Sequence, residues 1–167
     1  FFENQINTLE EIKNTLKGSK DVVKSVSALV DENSELQKQL SALLKEKATM
    51  IKKELIGKVQ NKNGINVITE KIKFDSAEEI KNMLFEIKNE VENCFCVVGA
   101  EVNGKPSISV VISDNLVKDK NLNAGNIVRE LAKEINGGGG GQAFYAQAGG
   151  SKNEGLDNAI NKAKTLI

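Results

Sequence analysis

An α/β fold, with a mixed β-sheet flanked by helices in the order β-α-β-β-α-β-α and preceded by a long helical or coiled-coil stalk, is predicted by three observations. Residues 1–60 carry helical periodicity broken once, at Gly18-Ser19. Beyond Asn61 the pattern switches to short β-branched runs alternating with amphipathic helical stretches. An Asn103-Gly104 pair joins two apolar runs, which is the chemistry of a tight hairpin turn.

Taken in order, Phe2, Ile6, Leu9, Ile12 and Leu16 form one apolar stripe ahead of Gly18 and Ser19, which are suited to close that helix and cap the next. From Asp21 to Ile56 apolar residues recur at steps of four and three: Val22, Val26, Leu29, Leu36, Leu40, Leu43 and Met50, with Asn33 and Lys47 as polar interruptions. That is a coiled-coil repeat, and a helix of about 35 residues extends about 50 Å. It is expected to pack as a helical hairpin with the first helix, with self-association through the seam near Leu36–Met50 as the second option.

The segment 61–64 (NKNG) reads as a linker, and a domain of residues 61–167 follows the helical domain of residues 1–60. Ile65–Phe74 reads as a strand. Asp75-Ser76 with Glu78-Glu79 marks a helix start, continued by Ala77, Ile80, Leu84, Ile87 and Val91. Cys94–Val102 is nearly all apolar, as expected of a strand buried on both faces, and Ser107–Ser113 pairs with it through the Asn103-Gly104 turn. A polar loop leads to a helix on Ala124, Ile127, Val128, Leu131 and Ile135. A strand at Phe144–Ala148 and a helix from about Asn153 close the chain. Two right-handed crossovers are expected to flank the one hairpin.

Composition narrows the function. The 167 residues provide for one ordinary domain plus an appendage, 40% apolar but only 4% aromatic and without Trp. The core must therefore be aliphatic, and a broad base-stacking platform is disfavoured. Lys plus Arg and Asp plus Glu both total 23, so no net charge advertises a nucleic acid or a membrane. Locally, residues 61–101 hold five Lys against eight acids, whereas 105–167 hold eight basic residues against six acids. With no His at all, the commonest general base and metal ligand are both missing. Cys94 and Cys96, two apart on a strand, read as buried free thiols of a cytoplasmic protein. No run approaches the about 20 apolar residues of a membrane span. The chain starts in a helical pattern at Phe1 without Met, which leads us to expect a piece of a longer polypeptide.

Five consecutive glycines, Gly137, Gly138, Gly139, Gly140 and Gly141, are costly to order, by up to about 1 kcal/mol each relative to Ala. Such a stretch suits either a flexible linker or a backbone that a partner approaches closely. A second cluster, Ala146–Ser151 (AQAGGS), favours the partner. There Gly149 and Gly150 permit a tight turn, Ser151 with Glu154 matches a capping box, and the free N–H groups of the last helix beside Lys152 would seat a phosphate. Neither a P-loop nor a G-x-G-x-x-G fingerprint is present. Gln142 is a hydrogen-bonding candidate, and Lys105, Lys118, Lys120 and Arg129 are candidate phosphate contacts. One of Phe144 and Tyr145 should be core and the other open to an exposed base.

The stretch Ile135–Gly150 (INGGGGGQAFYAQAGG) resembles the glycine signature that closes alanyl-tRNA synthetases. Leu16–Val26, Asn103–Ser113 and Asn123–Ile135 are similar to the stalk, hairpin and pre-glycine helix of that region. The resemblance covers the whole chain and extends to the accessory domain of DHH-family phosphoesterases. It implies a non-catalytic module that binds the tRNA elbow, where the D and T loops meet, so that aminoacylation and editing domains share one tRNA. The resemblance further implies that the parent's ATP, Mg and editing-site Zn lie outside this segment, and that a homodimer can form through the stalk. Many relatives carry a basic residue and Pro after the glycines, where Gln142-Ala143 stand here; the phosphoesterases often have a His there. The alternatives are the substrate-binding accessory domain of a DHH-type phosphodiesterase and a purely dimerising element.

Overall fold

In a computed structural model the described residues are 2–167, with side chains from Asn4 onward. The chain divides into two compact units, one ending at Leu43 and one starting at Leu44.

The first unit holds helix α1 (Phe2–Thr15) and the start of helix α2 (Val22–Gly57). Lys17 and Gly18 take left-handed conformations, and the Gly18 N–H bonds the Lys13 carbonyl, which ends α1 as the glycine predicts. The next helix is capped by Asp21, whose Oδ1 accepts from the Lys24 N–H at 3.0 Å, rather than by Ser19, whose hydroxyl turns to Ser25. The expected hairpin packing does not form. Ile6, Leu9, Leu29, Leu36 and Leu40 remain 50–59% exposed, while Leu16 and Val22, next to the turn, are half-buried, so most of each apolar stripe is left uncovered. The side chain of Phe2, placed in that stripe above, lies outside the described residues.

The second unit is a six-stranded mixed sheet of strands β1 (Gln60–Lys62), β2 (Ile65–Ile72), β3 (Cys94–Val102), β4 (Lys105–Ile112), β5 (Gly138–Gly141) and β6 (Tyr145–Gly149). Their spatial order is β1-β2-β3-β4-β6-β5; β2 and β3 are parallel, and the other neighbours are antiparallel. Helix α3 (Ala77–Glu90) carries the β2-to-β3 crossover. Ser76 caps it by accepting from the Glu79 N–H, as the sequence predicts. Asn103 and Gly104 turn β3 into β4 with positive φ at both residues.

Period-two alternation splits the core between the two faces of the sheet. One face presents Val67, Phe95, Val97, Ile108, Val110, Ala146 and Ala148 to helices α5 (Ala124–Ala132) and α6 (Gly155–Ala163). The other presents Ile68, Cys94, Cys96, Val98 and Ala100 to α3 and to the last turns of α2. Each fully buried Ile, Leu or Phe contributes about 1.5–3 kcal/mol of burial. Leu55 and Ala48 of α2 are part of this core, which is why the second unit begins at Leu44 and takes in part of a helix assigned above to residues 1–60.

Four details differ from the sequence reading. Asn61–Gly64 is not a plain linker: Asn63 and Gly64, both at positive φ, turn β1 back on β2. The polar loop after β4 contains helix α4 (Asp114–Asp119), held by the buried Leu116. The glycine run is the edge strand β5. The second crossover therefore lands on β5, and β6 runs antiparallel to β4 rather than closing a parallel unit with it. Finally, α6 starts at Gly155 with no side-chain cap, so the Ser151–Glu154 capping box is absent.

Candidate nucleic-acid interface

After α5 and one 3-10 turn (Lys133–Ile135), Asn136 adopts a left-handed conformation and releases the chain into β5. This strand pairs with β6 through Gly138↔Gly149, Gly139↔Ala148, Gly140↔Gln147 and Gly141↔Ala146. As an edge strand it leaves one side of its backbone unpaired by the sheet.

The glycines have two different causes. A Cβ on Gly137, Gly139 or Gly141 would fall well inside 3.0 Å of β6 backbone atoms, so close strand pairing itself demands glycine there. Gly150 and Gly155 are demanded in the same way by the carbonyls of Ile135 and Glu134. A Cβ on Gly138 or Gly149 would meet nothing within 4 Å, and one on Gly140 would meet only the Arg129 guanidinium, at 3.6 Å. The cross-strand pair Gly138 and Gly149 therefore leaves a bare, exposed spot that internal packing does not explain.

Arg129 lies along this strand from α5, its Nη1 donating to Asn126 Oδ1 at 3.3 Å, with no carboxylate partner among the described residues. Lys105 begins β4 at the same end of the sheet as Gly149. There the Gly150 N–H bonds the Pro106 carbonyl, and Asn153 donates to the Gly104 carbonyl. Gln142 is exposed in the β5–β6 turn, its N–H on the Tyr145 carbonyl. Lys118 and Lys120 are exposed on and just after α4, which follows the opposite end of β4 from the one where Gly149 lies.

The expected phosphate seat is not assembled. The N–H groups of Ser151 and Lys152 both donate to the Ile135 carbonyl at 3.0 Å, and those of Gly155 and Leu156 donate to Lys152 and Asn153 carbonyls. The turn is tied down on its own protein, leaving Ser151 and Lys152 side chains exposed beside it.

A polar cluster that the sequence reading passed over lies next to the bare spot. Gln147 Nε2 donates to Ser107 Oγ at 3.1 Å, and the Tyr145 hydroxyl donates to Gln147 Oε1 at 3.4 Å. The register Ser107↔Gly149 and Ser109↔Gln147 puts these side chains on one face of neighbouring strands. Phe85 of α3 walls the cluster, its ring 5.2 Å from Tyr145 and 6.2 Å from Phe144. Lys81 lies over the Tyr145 ring and Lys88 over Phe144, at 5.7 and 5.0 Å. Phe144 and Tyr145 are both half-buried, so neither is simply core or simply open. Burial raises the Tyr145 pKa, opposed by the influence of the nearby Ser109 hydroxyl. The findable signal was period two: Ser107 and Ser109 on one strand, Tyr145, Gln147 and Gly149 on the other.

Cys94 and Cys96 are buried free thiols; burial pushes Cys94 up to about 12, against the pull of Lys88, and raises Cys96 well above its ordinary value. Among the described residues no cluster of Cys, Asp and Glu could hold a metal, and no helix is long and apolar enough to cross a membrane.

Against known proteins, the chain is 47% identical over all 167 residues to an alanine–tRNA ligase of Christiangramia forsetii, 19% of whose length it spans. It is 49% identical over 115 residues, 69% of the chain, to that of Cytophaga hutchinsonii, covering 13% of it. The fold matches the C-Ala domain from Aquifex aeolicus alanyl-tRNA synthetase with a TM-score of 0.57 at 22% identity, covering 64% of this chain and 95% of that one. The model of the DHHA1 domain matches residues 64–167, the sheet together with its glycine strand and closing helix, and the chain accordingly belongs to the DHHA1 domain family.

Proposed function

We propose that the chain is a non-catalytic, tRNA-binding module of an alanyl-tRNA synthetase, cytoplasmic, engaging the elbow of tRNA with the outward side of the glycine strand. The observation that carries this reading is the pair Gly138 and Gly149, glycines with open space where a side chain would stand, on the strand along which Arg129, without a carboxylate partner among the described residues, reaches Gly140. Bare peptide at a sheet edge lets a sugar-phosphate chain or base pair approach closely, and the guanidinium supplies a sequence-blind phosphate contact. The ligase relatives supply the tRNA. Aminoacylation and editing, with ATP, Mg and Zn, belong in this reading to the rest of the parent.

A homodimer joins through α2, where Leu36, Leu40 and Leu43 are exposed on one seam with Asn33 preceding them. Sedimentation of the chain across a concentration series tests this part: a monomer at all concentrations contradicts it.

The RNA reading is tested by titrating the chain with alanine-specific tRNA, other tRNAs and unstructured RNA over a salt series. Folded tRNA is expected to be preferred with little discrimination among species, and affinity is expected to fall with salt. Arg129→Ala should lower the salt slope by about one. Equal affinity for unstructured RNA contradicts elbow recognition.

A further inference from the structure

The cluster beside the glycine strand has more hydrogen-bonding capacity than the fold uses. Gln147 Nε2 carries two hydrogens, of which Ser107 Oγ takes one, and Oε1 keeps a lone pair beyond the one facing Tyr145. Ser107 Oγ accepts from Gln147, so its own proton is available to donate. These groups converge where Gly149, two residues along the same face as Gln147 and directly across from Ser107, has no side chain. On the other side of Gln147, where the Tyr145 hydroxyl meets its Oε1, stand the half-buried rings of Tyr145 and Phe85, with Lys81 over the former and without an acidic partner among the described residues.

Resting on the RNA-binding reading above, we propose that this cluster is a subsite for one unpaired nucleobase, with Gln147 reading the edge of the base. A planar amide that offers a donor and an acceptor side by side matches the edge of a base, which has the same pairing of functions. Tyr145 acts as a positioning residue: its hydroxyl fixes which end of the Gln147 amide faces Ser107. Aromatic rings and an uncompensated lysine suit a π-faced, phosphate-linked ligand. The chain has only seven aromatic residues, and three of them (Phe85, Phe144 and Tyr145) gather here, so the low aromatic content that argues against a broad platform leaves room for a single-base site.

The test uses the full chain with Gln147→Ala and, keeping the ring, Tyr145→Phe. Each is checked for an unchanged thermal transition, then titrated with folded tRNA over a salt series. The Watson–Crick edges of the bases are probed chemically with protein at saturation. Gln147→Ala is expected to weaken binding about tenfold with an unaltered salt slope, since a neutral contact releases no counterion. One nucleotide protected in the native complex is expected to become reactive. Tyr145→Phe should produce a smaller loss, about threefold, at the same nucleotide. Native affinity with a native protection pattern in Gln147→Ala overturns the subsite while leaving the RNA-binding reading standing. Failure of the unaltered chain to bind folded tRNA at low salt overturns both.

Discussion

Neighbouring glycines of β5 should respond oppositely to the same substitution. At Gly139 an added Cβ would fall well inside 3.0 Å of the Gln147 carbonyl and of Ala148, both in the backbone of the paired strand. Neither can rotate away, so β5 must shift from β6. Overpacking of this kind costs about 1–3 kcal/mol, and for a domain of this size that lowers Tm by about 3–10 °C. At Gly138, one residue away, the same methyl meets nothing within 4 Å and φ is not positive. Gly138→Ala should therefore leave Tm unchanged or raise it slightly, because a less flexible unfolded chain supplies about 0.4–1 kcal/mol of stability. Paired melting curves of Gly138→Ala and Gly139→Ala, followed by circular dichroism, measure the difference. Equal transitions in the two variants would refute the division of the glycines into inward and outward positions.

The last turns of α2 should be integral to the sheet domain: Leu55 is 2% exposed, and Leu55→Ala is expected to cost about 2–4 kcal/mol in denaturant unfolding, where a freely projecting helix would show almost no change. Cys94 and Cys96 should resist alkylation of the native chain at pH 8–9, on the order of the ordinary thiol pKa, and react once it is unfolded. Their folded pKa values are raised, so their contribution to stability is complete below the ordinary 9.0 and is lost as pH climbs toward the about 12 of Cys94. Unfolding free energy measured across that range should fall, and replacement of both by Ala should flatten the fall.

Much of the sheet was legible because local chemistry and tertiary context agree. Cys94–Val102 could only be a doubly covered strand, and Asn103-Gly104 could only turn it back. The same dipeptide at Asn63-Gly64 reads as part of a linker, because the strand before it, Gln60–Lys62, is short and polar and has no apolar alternation to reveal it. The glycine run hid its strand for a related reason. Without side chains there is no period, and its pairing with β6 emerges only when Ala146 and Ala148 are seen to lie under it. Ser151 and Glu154 have the right spacing for a cap, but the Ile135 carbonyl, 16 residues upstream, takes the Ser151 and Lys152 N–H groups first. The Gln147 cluster depends on which strands are neighbours: the register of β4 against β6 is a long-range fact that no local pattern contains.

The most direct measurement is the affinity for folded tRNA of Gly138→Leu and Gly149→Leu, two positions where an added Cβ meets nothing within 4 Å. If the bare spot is an RNA contact, both variants should keep the native melting transition and lose about tenfold or more in affinity, the consequence of forfeiting about 1.4 kcal/mol of close contact. Native-like melting together with native tRNA affinity in both would contradict the account.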